Sequence, residues 1–263
     1  MRISCFCHTY QLEELKASGF DAAELDIMEL SRMGDPEFLE FRRKCSDSGL
    51  TFEAFSGFMP LDERIHSQHF DMQKWVNHAR RMGERTAELG AKVWPLGAGK
   101  CRSIPEGVPQ QEAAQKVGAF FAKICGTVEE FGILIAVEPL GLKNSNFLNT
   151  INEGADFAQN IGANNCKTMC DLRHMTSMGE SMTEIVKHAS MIAHAHIDYP
   201  LGPDRCFPNE TDGFDYRPYI GTLDEAGCCE LLGVEATSYV DFSMQAPQCA
   251  RYLRKLLATT RSR

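Results

Sequence analysis

Short apolar runs alternate with longer stretches of helical periodicity along the whole chain. The apolar runs fall at residues 3–7, 22–27, 51–58, 92–96, 133–137, 166–170, 192–197 and 230–234. Helix-like patterns fill the intervals at 36–48, 68–89, 110–131, 150–161, 182–189, 216–226 and 242–257. A run such as Ile133-Leu134-Ile135-Ala136-Val137 is continuously apolar, as a strand buried on both faces is in a parallel sheet covered by helices. Asp35-Pro36 marks a helix entry, and Gly49, Gly90, Gly132, Gly162 and Gly227 stand just past helical stretches, where a left-handed cap favours glycine. Eight strand–helix units with no linker predict the α/β class and one (β/α)8 barrel, a single domain over residues 1–263. An open doubly wound sheet is the fallback. The longest irregular stretch, 199–215, is rich in Pro, Gly and Asp, and a loop of that length in a compact domain is a candidate for function.

Active sites of such barrels gather where strands end. The fifth run ends in Ala136-Val137-Glu138, the sixth in Met169-Cys170-Asp171, the seventh reads Ala193-His194-Ala195-His196-Ile197-Asp198, and the eighth ends in Gly233-Val234-Glu235. Singly, each has an ordinary reading: a solvated loop carboxylate, a helix cap at Asp171, a hydrogen-bonded core histidine. Together on one rim the acids would repel one another unless a positive centre sat among them. A divalent metal is the economical solution, and a mostly oxygen donor set with one imidazole favours Mn²⁺, Mg²⁺ or Co²⁺ over a thiolate zinc site. Alternation puts His194 and His196 on one face, with His196 nearer the strand's C-terminal end and His194 one layer deeper. His194 or Asp198 is expected to support the ligands from behind.

Composition narrows the classes further. With 27 Lys+Arg against 36 Asp+Glu the formal charge is −9, which opposes a nucleic-acid surface. No apolar run approaches the roughly 18 residues of a membrane span, and Met1–His8 turns polar too early for a signal peptide. The eleven cysteines contain no CxxC pair, so a zinc ribbon or dithiol redox site is not expected. They read as small core residues of a reduced, cytoplasmic protein.

At the strand-end segments the sequence resembles the xylose isomerase-like TIM-barrel family of sugar isomerases and epimerases, especially its ketose 3-epimerase branch. The matching segments are Glu138-Pro139-Leu140, Asn146-Phe147-Leu148-Asn149-Thr150, Asp171-Leu172-Arg173-His174-Met175, His194-Ala195-His196-Ile197-Asp198, Gly213-Phe214-Asp215-Tyr216 and Gly233-Val234-Glu235. They cover the second half of the chain; the first half matches in rhythm, best at Gly57-Phe58-Met59-Pro60. The resemblance implies a metal quartet of Glu138, Asp171, His196 and Glu235, with Mn²⁺ the first expectation and Mg²⁺, Co²⁺ or Zn²⁺ compatible. It also implies Glu138 and Glu235 as the acid/base pair and His174 and Arg205 as contacts to substrate oxygens, with no organic cofactor. The expected reaction moves a proton next to a ketose carbonyl through an enediolate held by the metal, on a small sugar-like substrate. Two departures bear on the substrate: Gly141-Leu142 stands where this branch often has Asn-Arg, and Arg205 lies further beyond His196 than the epimerase pattern places it.

The rival readings are separable. A metal-dependent dehydratase of a hydroxy-keto acid uses the same quartet and is the alternative. A phosphodiesterase resembling endonuclease IV needs a multi-zinc cluster, for which His66, His69 and His78 are the available histidines. A non-catalytic sugar-binding barrel has no use for two opposed carboxylates. Phe6, His8, Phe58, Trp94 and Phe207 are candidate pocket walls, Lys100 a solvated loop cation, and Arg251, Arg254, Lys255, Arg261 and Arg263 the solvated face of a last helix. No nucleic acid or membrane partner is expected; exposed outer helices leave room for a homo-oligomer of unspecified size.

Overall fold

Each of the eight apolar runs forms a strand in the computed structural model, which describes residues 1–260; Arg261 and Arg263 of the basic C-terminal set lie outside the described residues. The strands are β1 (Arg2–Cys7), β2 (Ala22–Asp26), β3 (Thr51–Ser56), β4 (Val93–Leu96), β5 (Leu134–Val137), β6 (Cys166–Asp171), β7 (Ile192–Ile197) and β8 (Leu231–Val234). They pair in parallel in chain order, and β8 closes on β1 through Arg2↔Leu231 to Cys5↔Val234. The fold is a single TIM barrel, and the open-sheet fallback is excluded by that closure.

Helices follow the expected pattern with shifts at their starts. The 68–89 stretch becomes Met72–Leu89, because the Asp71 carboxylate accepts the Lys74 N–H at 3.0 Å and so caps the helix there. The Asp35-Pro36 entry falls one residue early, with Gly34 as the cap and Asp35 already helical. The 110–131 pattern is α-helical over Gln110–Val128 and tightens to a 3₁₀ turn at Glu129–Phe131. The 182–189 pattern shortens to Thr183–Lys187. All five expected exit glycines take positive φ, from 58° at Gly227 to 108° at Gly90. Four further short helices carry no periodic signature: Leu12–Lys16, Ile27–Arg32, Gly99–Arg102 and Leu172–Met178.

Alternation along the strands sorts the core into two. Outward residues such as Ile135, Val137, Leu25 and Ile197 join the large cluster shared with the helices. The residues Ala22, Ala54, Val93, Ala136, Met169 and Leu231, two positions before the polar layer or level with it, form a small separate plug inside the barrel. Below it, Glu53 ties Arg2 (2.6 Å) and Lys92 (2.7 Å) together across the strand starts. Two residues further on, the same inward face carries Glu24 on β2, Ser56 on β3, Glu138 past β5 and Asp171 on β6. The plug is thus the floor on which a polar layer rests. All eleven cysteines are unpaired and eight of them are buried. Among the described residues no helix is long and apolar enough to cross a membrane.

Candidate active site

Strand register brings the expected quartet together. Asp171 ends β6 opposite His196 of β7, His196 lies opposite Gly233 of β8, and Glu138 and Glu235 directly follow β5 and β8. One donor atom from each of Glu138, Asp171, His196 and Glu235 lies within 4.8 Å of the other three. His196 Nδ1 is 3.2 Å from Glu235 Oε2 and 3.9 Å from Glu138 Oε1. Three of the converging atoms, Glu138 Oε1, His196 Nδ1 and Glu235 Oε2, are buried without a well-aligned hydrogen bond, although Arg205 Nη1 stands 2.8 Å from Glu235 Oε2. Buried polar atoms are rarely left so. Three carboxylates and one imidazole with their donor atoms gathered this closely are a donor set that fits a divalent cation. Asp171 does two things at once: Oδ1 caps the following helix by accepting the His174 N–H at 3.0 Å, and Oδ2 faces the site.

A second layer, which sequence reasoning missed, lies beneath. Glu24 is 1% exposed and sits between two imidazoles, 3.1 Å from His194 Nε2 and 3.0 Å from His196 Nε2, with the Ser56 hydroxyl donating to its Oε1. Burial alone would raise the Glu24 carboxyl, yet the charges of His196 and His194 hold it well below the usual carboxylate range. Burial likewise works against a charged His196, but Glu24 first and then Glu235 raise it well above the ordinary imidazole value. His196 therefore uses both nitrogens, Nε2 on the buried carboxylate and Nδ1 toward the quartet, the arrangement by which an outer carboxylate fixes a ligating imidazole's tautomer and raises its basicity. Gly233 makes the layer fit: a Cβ there would stand 2.9 Å from both Glu24 Oε2 and His196 Cδ2. Of the two residues expected to back the ligands, His194 reaches Glu24 rather than the quartet, while Asp198 sits elsewhere, on the arginines described next.

His174 lies in the first turn of Leu172–Met178, 3% exposed. The Gly141 N–H donates to its Nδ1 at 3.1 Å, so its Nε2 side faces Glu138 Oε1 at 3.7 Å. Arg205 enters from the 199–215 loop, its Nη1 at 2.8 Å from Glu235, 3.0 Å from Asp171 and 3.3 Å from Asp198. That loop is braced by Arg173, which donates to Asp198 Oδ2 (2.7 Å) and to the carbonyls of Gly202 (2.7 Å), Asp204 (2.6 Å) and Tyr199. Burial and the neighbouring Asp171 push Asp198 up to about 7 even against both arginines. A cavity of about 320 Å³ is lined by Glu138, His174, His196, Arg205 and Glu235 together with the apolar Phe58, Met59, Pro95 and Leu140.

Of the aromatic candidates, Phe58 lines this cavity. Trp94 is buried behind it (ring centroids 5.6 Å apart), and Phe207 packs on Tyr239 and Phe242. His8 pairs with Glu29 and stacks on Tyr10, and Lys100 is exposed. His78 is bound to the Phe58 carbonyl, and neither it, His66 nor His69 belongs to a metal-competent group among the described residues.

Comparison with known proteins agrees with the fold. A family model described as xylose isomerase-like TIM barrel matches residues 12–257. The chain is 24% identical over 194 residues to D-psicose 3-epimerase of Agrobacterium fabrum (strain C58), covering 70% of this chain and 65% of that protein. It is 23% identical over 199 residues to D-psicose 3-epimerase of Ruminiclostridium cellulolyticum, covering 72% of this chain and 66% of that protein. The matched stretches thus span just under two-thirds of these relatives. A solved structure of L-ribulose 3-epimerase superposes with a TM-score of 0.81 at 20% identity, over 99% of this chain and 96% of that one, a likeness of fold.

Proposed function

Because the chain belongs to the xylose isomerase-like TIM barrel family, we propose that it is a divalent-metal-dependent isomerase that epimerises a small ketose at the carbon beside its carbonyl. Relatives named as D-psicose 3-epimerases support the reaction class. The observation that carries the reading is the pair Glu138 and Glu235, two acids of one four-residue donor group that both line one cavity. Binding alone has no need of two such acids.

Taking a proton from a carbon next to a carbonyl leaves negative charge on the neighbouring oxygen. Glu138, Asp171, His196 and Glu235 would hold a divalent cation, Mn²⁺ in our reading, which would supply the positive charge that oxygen needs. Glu138, from β5, and Glu235, from β8, stand at different strand ends, so they approach the reacting carbon from two sides; one removes the proton and the other returns one. His174 accepts from Gly141 at Nδ1, and its Nε2 edge stands 3.0 Å from Arg205 Nη2, so the two groups together would meet a substrate oxygen. Arg205 also neutralises Asp171 and Glu235. The apolar wall of Phe58, Met59 and Leu140 keeps water from the transferred proton.

The test is Glu235→Gln assayed for deuterium uptake from solvent into a panel of ketoses, with and without chelator. Loss of a positioned acid/base is worth roughly 10²–10⁴-fold, so exchange should fall by at least about 10². Undiminished exchange ends the assignment of Glu235, and a conjugated, ultraviolet-absorbing product would replace the epimerase reading with the dehydratase.

A further inference from the structure

We propose that Arg102 is a positioning residue for Glu138: it ties the loops after β4 and β5 into one cradle that fixes where the Glu138 carboxylate stands. The inference rests on the reading of Glu138 given above.

Arg102 ends the short helix Gly99–Arg102 and is 0% exposed. A fully buried guanidinium normally sits on a carboxylate, since an uncompensated buried charge is costly. None of the ion pairs among the described residues includes Arg102. Its donors go to main-chain carbonyls instead: Nη2 to Glu138 O (2.7 Å) and Leu148 O (3.1 Å), Nε to Phe147 O (3.2 Å), and Nη1 to Gly97 O. Gly97 follows β4, Glu138 follows β5, and Phe147 and Leu148 lie in the segment that leads to the next helix, so one side chain gathers three stretches of backbone. Burial lowers the guanidinium to about 10, and the largest charge supporting it is Glu138. It remains cationic at neutral pH.

Two independent features show what the cradle holds. Ala98 (φ 47°) and Leu148 (φ 60°) are the only non-glycine residues with positive φ among those described, and both belong to it. Side chains in that region of the backbone are strained and persist where surrounding contacts enforce them, a pattern that concentrates at functional sites. The Leu148 carbonyl is pinned twice, by Arg102 and by the Leu140 N–H at 3.0 Å. Gly97 is the second feature: a Cβ built there would stand 2.4 Å from Glu138 Oε2. The carboxylate therefore packs directly on the Gly97 backbone, and Arg102 grips both sides of that contact, Gly97 O and Glu138 O. The Glu138 peptide is fixed at its other end by its own N–H on Leu96 O at 3.3 Å. Small displacements of a reacting group cost orders of magnitude in rate, which is what such a cradle prevents.

Arg102→Lys keeps the charge but cannot reach four carbonyls; Arg102→Gln is the second variant, a neutral head that keeps two donors. Arg85 is the control, another buried arginine, on the outer helices, that holds Leu30 O (2.8 Å), Met33 O (2.9 Å) and Asp35 (2.6 Å) away from the site. Mn²⁺ affinity is measured without substrate, and kcat and KM are measured separately. Both Arg102 variants should bind Mn²⁺ about tenfold or more weakly and lose kcat by more than KM changes. Arg85→Lys should lower thermal stability while leaving Mn²⁺ affinity unchanged. If Glu138→Gln weakens Mn²⁺ binding but the folded Arg102 variants do not, the positioning role is wrong and the site stands. If Glu138→Gln leaves Mn²⁺ binding intact, the reading of Glu138 fails and the inference with it.

Discussion

Replacing Glu24 by Gln tests the layer beneath the quartet, because the two side chains have the same shape and differ by one charge. In the native protein Glu24 makes contacts of 3.0–3.2 Å to the Nε2 atoms of His194 and His196 and accepts from Ser56. A hydrogen bond to a charged group is worth about 1.5–3 kcal/mol. Losing that support from His196 should weaken Mn²⁺ binding about 10–100-fold at high pH, the usual range for an outer carboxylate. A second effect runs the other way at lower pH. Glu24 raises the His196 pKa, so in the native protein a proton must leave the ring before a cation binds; without Glu24 that competition eases. The pH dependence of Mn²⁺ affinity should therefore flatten in Glu24→Gln. Removing one partner of a buried charged pair also costs about 3–5 kcal/mol of stability, which at about 2–4 °C per kcal/mol lowers Tm by roughly 6–20 °C. Calorimetric Mn²⁺ titrations at pH 6, 7 and 8, with melts of the chelated protein, read all three quantities. An affinity within twofold of native together with an unchanged pH slope would refute the claim that Glu24 acts through His196.

Three other outcomes follow from the same geometry. Mn²⁺ at a hundredfold excess over its Kd should stabilise the native state by about 2.7 kcal/mol, a rise in Tm of roughly 5–10 °C, with no change in far-ultraviolet circular dichroism because the plug and outer core do not depend on the ion. The Glu24–His196 pair sets a pH window for the chelated protein. The lowered Glu24 contributes above its ordinary 4.5 and the raised His196 contributes below its ordinary 6.5, so the stability lost in Glu24→Gln should be largest between those values and shrink on either side in pH-dependent melts. Arg205→Ala removes a cation standing 2.8–3.3 Å from Glu235, Asp171 and Asp198. The chelated variant should melt lower and gain more from Mn²⁺ than the native protein, while turnover falls; an equal gain would show that Arg205 does not compete for those carboxylates.

Much of this was legible in the residue order. The strands could be read because both faces of each are buried, and continuous runs such as Ile133–Val137 have no other economical explanation in a chain that repeats them with helices between. Glu138, Asp171 and Glu235 could be read because each ends such a run, and the i, i+2 spacing of His194 and His196 put both on one face. Glu24 was hidden inside its run: in Ala22-Ala23-Glu24-Leu25 a lone charge reads as a flaw in a strand, although its place two residues after Ala22 put it on the inward face. Which nitrogen of His196 meets which carboxylate depends on barrel closure, since Glu24 arrives from 172 residues away. Arg102 left no mark at all, because its partners are carbonyls and any residue supplies one. The four short helices were lost because one or two turns do not establish a period.

The plug of Ala22, Ala54, Val93, Ala136, Met169 and Leu231 has a consequence for traffic. With its floor sealed by apolar side chains and the Arg2–Glu53–Lys92 tie beneath them, the barrel is a well rather than a tunnel. Whatever enters above His196 leaves by the same mouth. On the proposed epimerase reading, a sugar and its epimer would share one doorway, each competing with the other's entry at a strength set by its own affinity.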